Sequence, residues 1–333
     1  MDKLNFYSLN VRSIASSKKC EELAQWFKGK YKGILMLQET HSQDSYIKTW
    51  ERTWDSKFYC SHGSKSSRGV AIVIPSYMPH VIHNQITDDY GRFIILHLTI
   101  NGEELVLTCV YFPTKNHQND QIETLSDIKK KLAPFQDYNN VIGGDFNLAI
   151  DLNIDKKGGK IDHSESKQFR EEILAFLKAY ELTDILRVKF PTQQKFSWHS
   201  KHLKVSSRLD YFFISEVLAN RATSCDIKPA LLTDHRMVHL DLQVLKNSAK
   251  GAGYWKFNSS LLYDPNYVTF IKEVIHEAKE SLLNEKNLGL KWDLVKMSIR
   301  RETIKFCSKK KRQETKLEKN LTKEIEELTA KKK

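Results

Sequence analysis

Residues 92–112, RFIILHLTINGEELVLTCVYF, place two runs of β-branched and apolar residues on either side of Asn101-Gly102. Such a pair supplies the positive φ angles of a two-residue turn, so the middle of the chain is committed to an antiparallel hairpin. Other short apolar runs surround it. Strands are expected at Leu4–Val11, Gly33–Thr40, Gly69–Ile74, Arg92–Ile100, Glu104–Phe112, Asn140–Phe146, Leu209–Ser215 and Met237–Val244. Helices are expected near 17–28, near 119–133 and near 164–179, where Phe169, Ile173, Phe176 and Leu177 recur at helical spacing. This order argues for an α/β (α+β) fold of two packed, mainly antiparallel sheets with helices outside, and against an alternating βα barrel.

The 333 residues, 40% of them apolar, are enough for one large domain and more. The pattern changes at residues 246–253, KNSAKGAG, which read as a linker between a domain at 1–245 and a basic helical extension at 254–333. The net charge is +12, and it is uneven: residues 300–333 hold thirteen Lys/Arg against six Asp/Glu, so seven of the twelve excess charges lie there. That tail suits contact with RNA or DNA by charge. Its apolar stripe of Leu317, Leu321, Ile325 and Leu328 equally suits docking on the rest of a larger protein, or a short coiled coil. Five scattered cysteines without CxxC spacing fit a reducing compartment and indicate no disulfide framework or zinc site. No apolar run approaches a membrane span and MDKLNFYSLN is no signal peptide, so a soluble intracellular protein without a membrane partner is expected.

The strand ends carry polar groups that packing alone would not select. Asn10 closes NFYSLNV, Glu39 closes GILMLQET, Tyr111 stands in CVYFP, and Asp145 and Asn147 in GGDFN. Asp210 opens RLDYFFI, and Asp234-His235 precede the last strand. A hard cation such as Mg²⁺ needs only one or two carboxylates beside its waters, and Glu39 can supply one. Residues two apart on a strand share a face, so Asp145 and Asn147 are expected to orient and deprotonate a water together. A histidine beside a buried acid is held in one tautomer and stabilises negative charge. Together these are parts for in-line attack on a phosphodiester.

SLNV, LQET, VYFP, GGDFN, SRLDYFF and TDHRMV, in this order over residues 4–244, resemble the exonuclease–endonuclease–phosphatase superfamily. LQETH, RGVAIVI and GYWKFNSSLL resemble its apurinic/apyrimidinic-endonuclease-like branch, found in the second open reading frame of LINE-type non-LTR retrotransposons. The resemblance implies a four-layer α/β sandwich and a Mg²⁺-dependent endonuclease, with Mn²⁺ as a substitute ion. It implies nicking of duplex DNA to a 3′-hydroxyl and a 5′-phosphate, with the hydroxyl priming reverse transcription. A reverse-transcriptase region is then expected downstream, since no Tyr/Phe-x-Asp-Asp signature occurs in this sequence. Action in the nucleus after synthesis in the cytoplasm is expected. The rival readings are an abasic-site repair endonuclease of the same fold, a phosphoester phosphatase and a non-enzymatic nucleic-acid-binding protein.

By the same resemblance Glu39 binds metal, helped by Asn10, with Asp234 near the metal or supporting His235. Asp145 aligns the water, Asn147 and Tyr111 meet the scissile phosphate, and His235, oriented by Asp210, stabilises the transition state. FSWHSKHLKVSSRLD resembles a minor-groove hairpin: Ser197 and Trp198 shape the nucleotide site, and Lys201, His202 and Lys204 contact phosphates. Arg68 of GSKSSRG suits phosphate contact or a plain connector, and Arg208 suits an internal ion pair or a DNA contact. Two positions depart from the family pattern. Arg12 stands where Asp or Asn is frequent and is expected to meet phosphate, and Thr114 replaces the amide of YxPN.

Overall fold

The structure is a computed structural model that describes residues 3–64, 66–159, 164, 166–200, 204–244, 257–283 and 285–331. Lys201, His202 and the linker expected at 246–253 lie outside the described residues. The chain divides into two compact units, Met1–Asn247 and Ser248–Lys333.

In chain order the first unit begins β1 (Lys3–Asn10), α1 (Ser17–Lys30), β2 (Ile34–Gln38), α2 (Asp44–Trp54), β3 (Ser56–Ser61) and β4 (Val70–Pro75). It continues with β5 (His80–Thr87), β6 (Phe93–Ile100), β7 (Glu103–Tyr111), α3 (Gln118–Leu132), β8 (Asn140–Asp145), β9 (Lys156–Lys157) and α4 (Lys167–Ala179). Then follow β10 (Leu182–Asp184), α5 (Ile185–Lys189), β11 (Trp198–His199), β12 (Ser206–Ser207), β13 (Asp210–Ser215), α6 (Glu216–Ala219), β14 (Ala222–Lys228) and β15 (Met237–Gln243). The second unit holds α7 (Pro265–Ser281) and α8 (Leu288–Lys331).

Two six-stranded sheets form, in the orders β14-β15-β1-β2-β4-β3 and β10-β13-β8-β7-β6-β5, and the short strands β11-β12-β9 make a third. In each large sheet one central pair is parallel, β1 with β2 and β7 with β8, and the other pairs are antiparallel. The two sheets pack face to face through Phe6, Met36, Ile72, Leu96, Leu107, Val141, Phe212 and Leu240. On the outer faces, Leu23, Phe27, Trp50 and Trp54 of α1 and α2 cover one sheet, and Leu125, Ile128, Phe169 and Phe176 of α3 and α4 the other. The result is the four-layer sandwich, helices outside. No helix of the described residues is long and apolar enough to cross a membrane.

The β6–β7 hairpin turns on Asn101 and Gly102, both at positive φ. The strand expected at Gly33–Thr40 is shorter because Glu39 turns into the left-handed region at φ 53. Elements α2, β3, β5 and β14 were not expected from periodicity. Tyr46, Ile47, Trp50 and Trp54 do recur at helical spacing in α2, and that signal was present. Five of the eight residues of β5 are exposed, on an edge where alternation is weak.

The glycines of GGDFN have an internal role. A Cβ on Gly143 would stand 2.4 Å from Phe212 Cε1 and 2.7 Å from Met36 Sδ of the facing sheet. One on Gly144 would stand 2.0 Å from the Val110 carbonyl oxygen of the neighbouring strand. Both glycines are there so that β8 can lie close to its neighbours.

Candidate active site

Strand direction explains why the polar strand ends meet. Asn10, Glu39, Tyr111 and Asp145 stand at or just past the carboxyl ends of β1, β2, β7 and β8. Antiparallel pairing brings the amino ends of β13 and β15 to the same edge, with Asp210 in register with Asp145. Six strands thereby deliver chain positions from 10 to 235 to one place.

Asn10 is the centre of the acidic side. Its Nδ2 donates to Glu39 Oε1 at 2.8 Å and to Asp145 Oδ2 at 2.9 Å, and its Oδ1 accepts from the Arg12 amide at 3.0 Å. In this arrangement Asn10 clamps two carboxylates together with its N–H groups. Asp145 is buried and its pKa is pushed up to about 7, first by burial and then by Asp210, against the pull of His235 and the Asn10 hydrogen bond. His235 donates from Nδ1 to Asp210 Oδ2 at 2.9 Å, with Nε2 3.9 Å from Asp145 Oδ2. Burial alone would depress the His235 pKa. The charges of Asp210 and Asp145 and the Asp210 hydrogen bond outweigh it, and the imidazolium is favoured up to about pH 10. Burial, the charges of Glu39 and Asp145 and a hydrogen bond to Glu39 push the Tyr111 phenol well up, so it stays neutral and able to donate.

Asn147 reaches the site differently from the expected strand alternation. The strand ends at Asp145, and Asn147 lies at φ 47. Its amide N–H donates to Asp145 Oδ1 at 2.9 Å, and its Nδ2 donates to the Phe112 carbonyl at 2.8 Å. A turn, not a shared strand face, sets the two side chains together. Asp234 Oδ2 accepts from Arg12 Nη1 at 2.9 Å and from Trp198 Nε1 at 3.1 Å. Burial would raise the Asp234 pKa, but His235, the Trp198 indole and Arg12 hold it below the usual range. Arg12 itself is 59% exposed, at the mouth of the site.

The residues expected to contact DNA divide by burial. Lys204 is exposed, Arg68 and Trp198 are half-buried, and the Arg68 guanidinium lies over the Tyr90 ring. Ser197 is fully buried, with its hydroxyl accepting from the Leu209 and Asp210 amides at 2.9 and 3.0 Å. It therefore holds Asp210 in place and does not touch a ligand. Arg208, 1% exposed, is an internal ion-pair partner and not a DNA contact. Its guanidinium forms fork-to-fork pairs with Asp155, at 2.7 and 3.0 Å, and with Asp184, at 3.0 and 2.6 Å, while Arg187 closes on Asp155 as well. Burial would lower its pKa, but Tyr211, Asp184 and Asp155 hold the guanidinium charged.

Two cations escaped the sequence reading. Lys19 Nζ donates to the Val11 and Arg12 carbonyls at 2.7 and 2.9 Å and fixes the loop that carries Arg12. Arg92 lies close enough to Tyr111 for its charge to pull the phenol pKa down, and its backbone carbonyl accepts from the Tyr111 amide at 2.7 Å. Neither sits in a distinctive sequence pattern, so only the fold brings them here.

A hard divalent cation fits this donor set. Asp210 Oδ1 and Asp234 Oδ1 are buried without a protein donor, the condition of an oxygen that expects water, a proton or a cation. Ligand atoms of Asp145, Asp210 and His235 lie within 4.8 Å of one another. Because His235 Nδ1 is engaged with Asp210 and the ring is favoured as a cation, the Glu39 side is the better place for an oxygen-seeking ion.

The chain is similar to a curated relative, the Transposon TX1 uncharacterized 149 kDa protein of Xenopus laevis, at 29% identity over 272 residues. That match takes in 80% of this chain but spans only 20% of the relative. Among solved structures, an AP endonuclease, LMAP, from Leishmania major superposes with a TM-score of 0.64 at 15% identity, over 73% of this chain and 89% of that one. An AP endonuclease from Archaeoglobus fulgidus gives 0.56 at 20% identity, over 72% of this chain and all of that one. These likenesses fix the fold as that of the AP endonucleases. The model of the Endonuclease/Exonuclease/phosphatase family matches residues 7–235, which takes in every strand end of the site, and the chain belongs to that family as a hydrolase of the nuclease kind.

Proposed function

We propose that this chain nicks one strand of duplex DNA in a Mg²⁺-dependent reaction, leaving a 3′-hydroxyl and a 5′-phosphate. The observation that carries the reading is the pair of carboxylates shared by Asn10 Nδ2, with the His235–Asp210 couple on the far side of Asp145. It puts a metal-binding acid, a proton acceptor and a cation around one position. Bound at Glu39, with Asp234 Oδ1 as a further candidate oxygen, Mg²⁺ would neutralise charge on a phosphoryl oxygen. Mn²⁺ offers the same preference for oxygen.

Asp145 takes the proton of the attacking water and is steadied by Asn10 and the Asn147 amide. The His235 imidazolium, fixed by Asp210, faces the charge that develops on the phosphoryl oxygens. Neutral Tyr111 lies beside the phosphate and turns its O–H from Glu39 to it when Glu39 is taken up by the metal, and the remaining Asn147 amide hydrogen positions it. As the water oxygen bonds to phosphorus, the P–O3′ bond breaks, and the departing 3′-oxygen takes a proton from solvent water to become the hydroxyl. Trp198, Lys204, Arg68 and Arg12 line the approach of the strand, and Lys201 and His202 are proposed for the hairpin tip.

The transposon relative supports placing this activity in a LINE-type retrotransposon polyprotein, with a reverse-transcriptase region downstream and the nick as primer. The place of action is then the nucleus. The AP-endonuclease neighbours favour a second reading, cleavage at abasic sites. The test is a side-by-side assay on supercoiled plasmid and on an abasic duplex, with and without Mg²⁺. Nicking of intact plasmid, ends that a polymerase extends, and losses of at least about 10²-fold in Glu39→Ala, Asp145→Asn and His235→Ala are expected. Cleavage confined to the abasic duplex would establish the second reading, and release of inorganic phosphate from small esters without nicking would overturn both.

A further inference from the structure

Helix α8 has two faces of different chemistry. Val295, Ile299, Thr303 and Phe306 turn towards α7. Val295 and Thr303 are buried, Ile299 and Phe306 pack on the cluster of Tyr267, Ile271 and Val274, and Thr303 Oγ1 meets Tyr267 Oη at 2.7 Å. Phe306 also stacks on Phe270 with ring centroids 5.4 Å apart. These contacts fix the rotation of the helix about its axis, and Leu317, Leu321 and Leu328 continue the same face.

Arg301, Lys305, Lys309, Arg312, Lys316, Lys319 and Lys323 recur at spacings of four, four, three, four, three and four. At 3.6 residues per turn they lie on average about 120° round the helix from the α7-facing row. All seven are exposed; Arg301 borders a cleft against Glu273 and Glu277 of α7, and the other six follow it along the helix outside that cleft. The acids of the stretch do not break the row, because Glu314 and Glu318 are in turn two residues out of phase with it. Glu302 draws Arg301 and Lys305 at 2.8 Å, and Glu327 lies 3.8 Å from Lys323. Lys309, Arg312, Lys316 and Lys319 make no ion pair with a described acid. Like charges three and four apart oppose helix formation, so such a row weakens an isolated helix and is relieved by a polyanion.

We propose that this face of α8 docks on the sugar-phosphate backbone of duplex DNA. The row is straight and runs about 33 Å at 1.5 Å per residue, close to one turn of duplex. No aromatic residue stands in it, so it lacks the stacking platform that single strands require. Five of the seven are lysines, point charges that suit phosphate oxygens better than base edges. The face clamps DNA without reading its sequence, and this binding is separate from the nicking assigned to the first unit.

The test uses the whole chain in EDTA, with binding to a 30-base-pair duplex measured by fluorescence anisotropy from 50 to 200 mM KCl. The variant carries Lys309→Gln, Arg312→Gln, Lys316→Gln and Lys319→Gln, and circular dichroism checks its helix content. The slope of log affinity against log salt is expected to fall by about three to four, at about 0.9 per neutralised phosphate. Leu317→Ser with Leu321→Ser is expected to leave the slope unchanged. If the fourfold variant loses helix, Lys309→Gln with Lys316→Gln, and Arg312→Gln with Lys319→Gln, are each expected to give about half the change. An unchanged slope would overturn the proposal, and so would a loss confined to single-stranded RNA or to a protein ligand. Plasmid nicking by the wild-type chain stands apart: binding without nicking overturns the active-site reading alone, and nicking with an unaltered salt slope overturns this one alone.

Discussion

At Asp145 a carboxyl is held where burial and Asp210 resist its ionisation, while His235 next to it is held protonated. The acceptor must be ionised and the imidazole charged, so both limbs of a pH profile follow from the same network. kcat/KM for nicking is expected to rise through about pH 7, as Asp145 ionises, and to fall through about pH 10, as His235 is lost. Initial rates at subsaturating duplex across pH 5.5–11 check this, and a profile flat through 7 sinks the assignment of Asp145 as acceptor. Arg208 sets a prediction of the opposite kind. Asp155 beneath it is fully buried, and Arg208→Ala leaves Arg187 as the one remaining cation of that cluster for the two acids Asp155 and Asp184, so it is expected to cost about 3–5 kcal/mol in the calorimetric transition of its unit. Folded protein recovered at low temperature should bind DNA as before; loss of affinity without loss of stability would restore Arg208 to the DNA surface. Residue types were legible in the sequence at both places. Burial was not, because SRLDYFF carries no mark that its arginine points inward to Asp155 and Asp184, chain positions 53 and 24 residues away.

Single elements decide how tightly the site is drawn. Gly143 lets β8 lie against Met36 and Phe212, and Gly143→Ala pushes on both sheets. A loss of about 1–3 kcal/mol in urea unfolding of that unit is expected, with nicking reduced in proportion to folded protein. Unchanged stability with weaker DNA binding would overturn this packing role. The loop after β1 acts differently. Lys19 fixes it through two carbonyls, and Arg12 and Trp198 both hold Asp234, next to His235. Because Arg12 is largely exposed, Arg12→Ala should move Tm little, the exposed pair being worth below about 1 kcal/mol, while it lowers nicking. A double-mutant cycle with Trp198→Phe is expected to show non-additive rate losses, and strict additivity would separate the two residues. The β6–β7 hairpin and the helices with clear apolar stripes were legible as elements. The strands β11 and β12 pair antiparallel within FSWHSKHLKVSSRLD, where a hairpin was legible. Edge strand β5 was not legible, since its exposure weakens the alternation, and two-residue β9 was not, since its partner β12 lies far along the chain.

For the whole molecule, every residue drawn into the site belongs to Met1–Asn247. We predict that residues 1–247 alone fold and nick plasmid, with duplex affinity reduced to that of the first unit. A plasmid assay on this fragment beside the whole chain checks it, and an inactive but folded fragment would assign α7 and α8 to the site.

The sequence by itself determined the hairpin at Asn101-Gly102, the layered α/β class, the acids and histidine of the site and their order, and the apolar stripe of α8. All of these rest on local period, turn chemistry or residue type, which a neighbourhood of a dozen residues carries. Only the tertiary structure decided that Asn10 clamps Glu39 to Asp145, that Asn147 arrives by a turn, that Ser197 and Arg208 face inward, and that Lys19 and Arg92 join the site. Those facts depend on strand direction and on burial between sheets, which pairings 29 to 135 residues apart impose and no local pattern records.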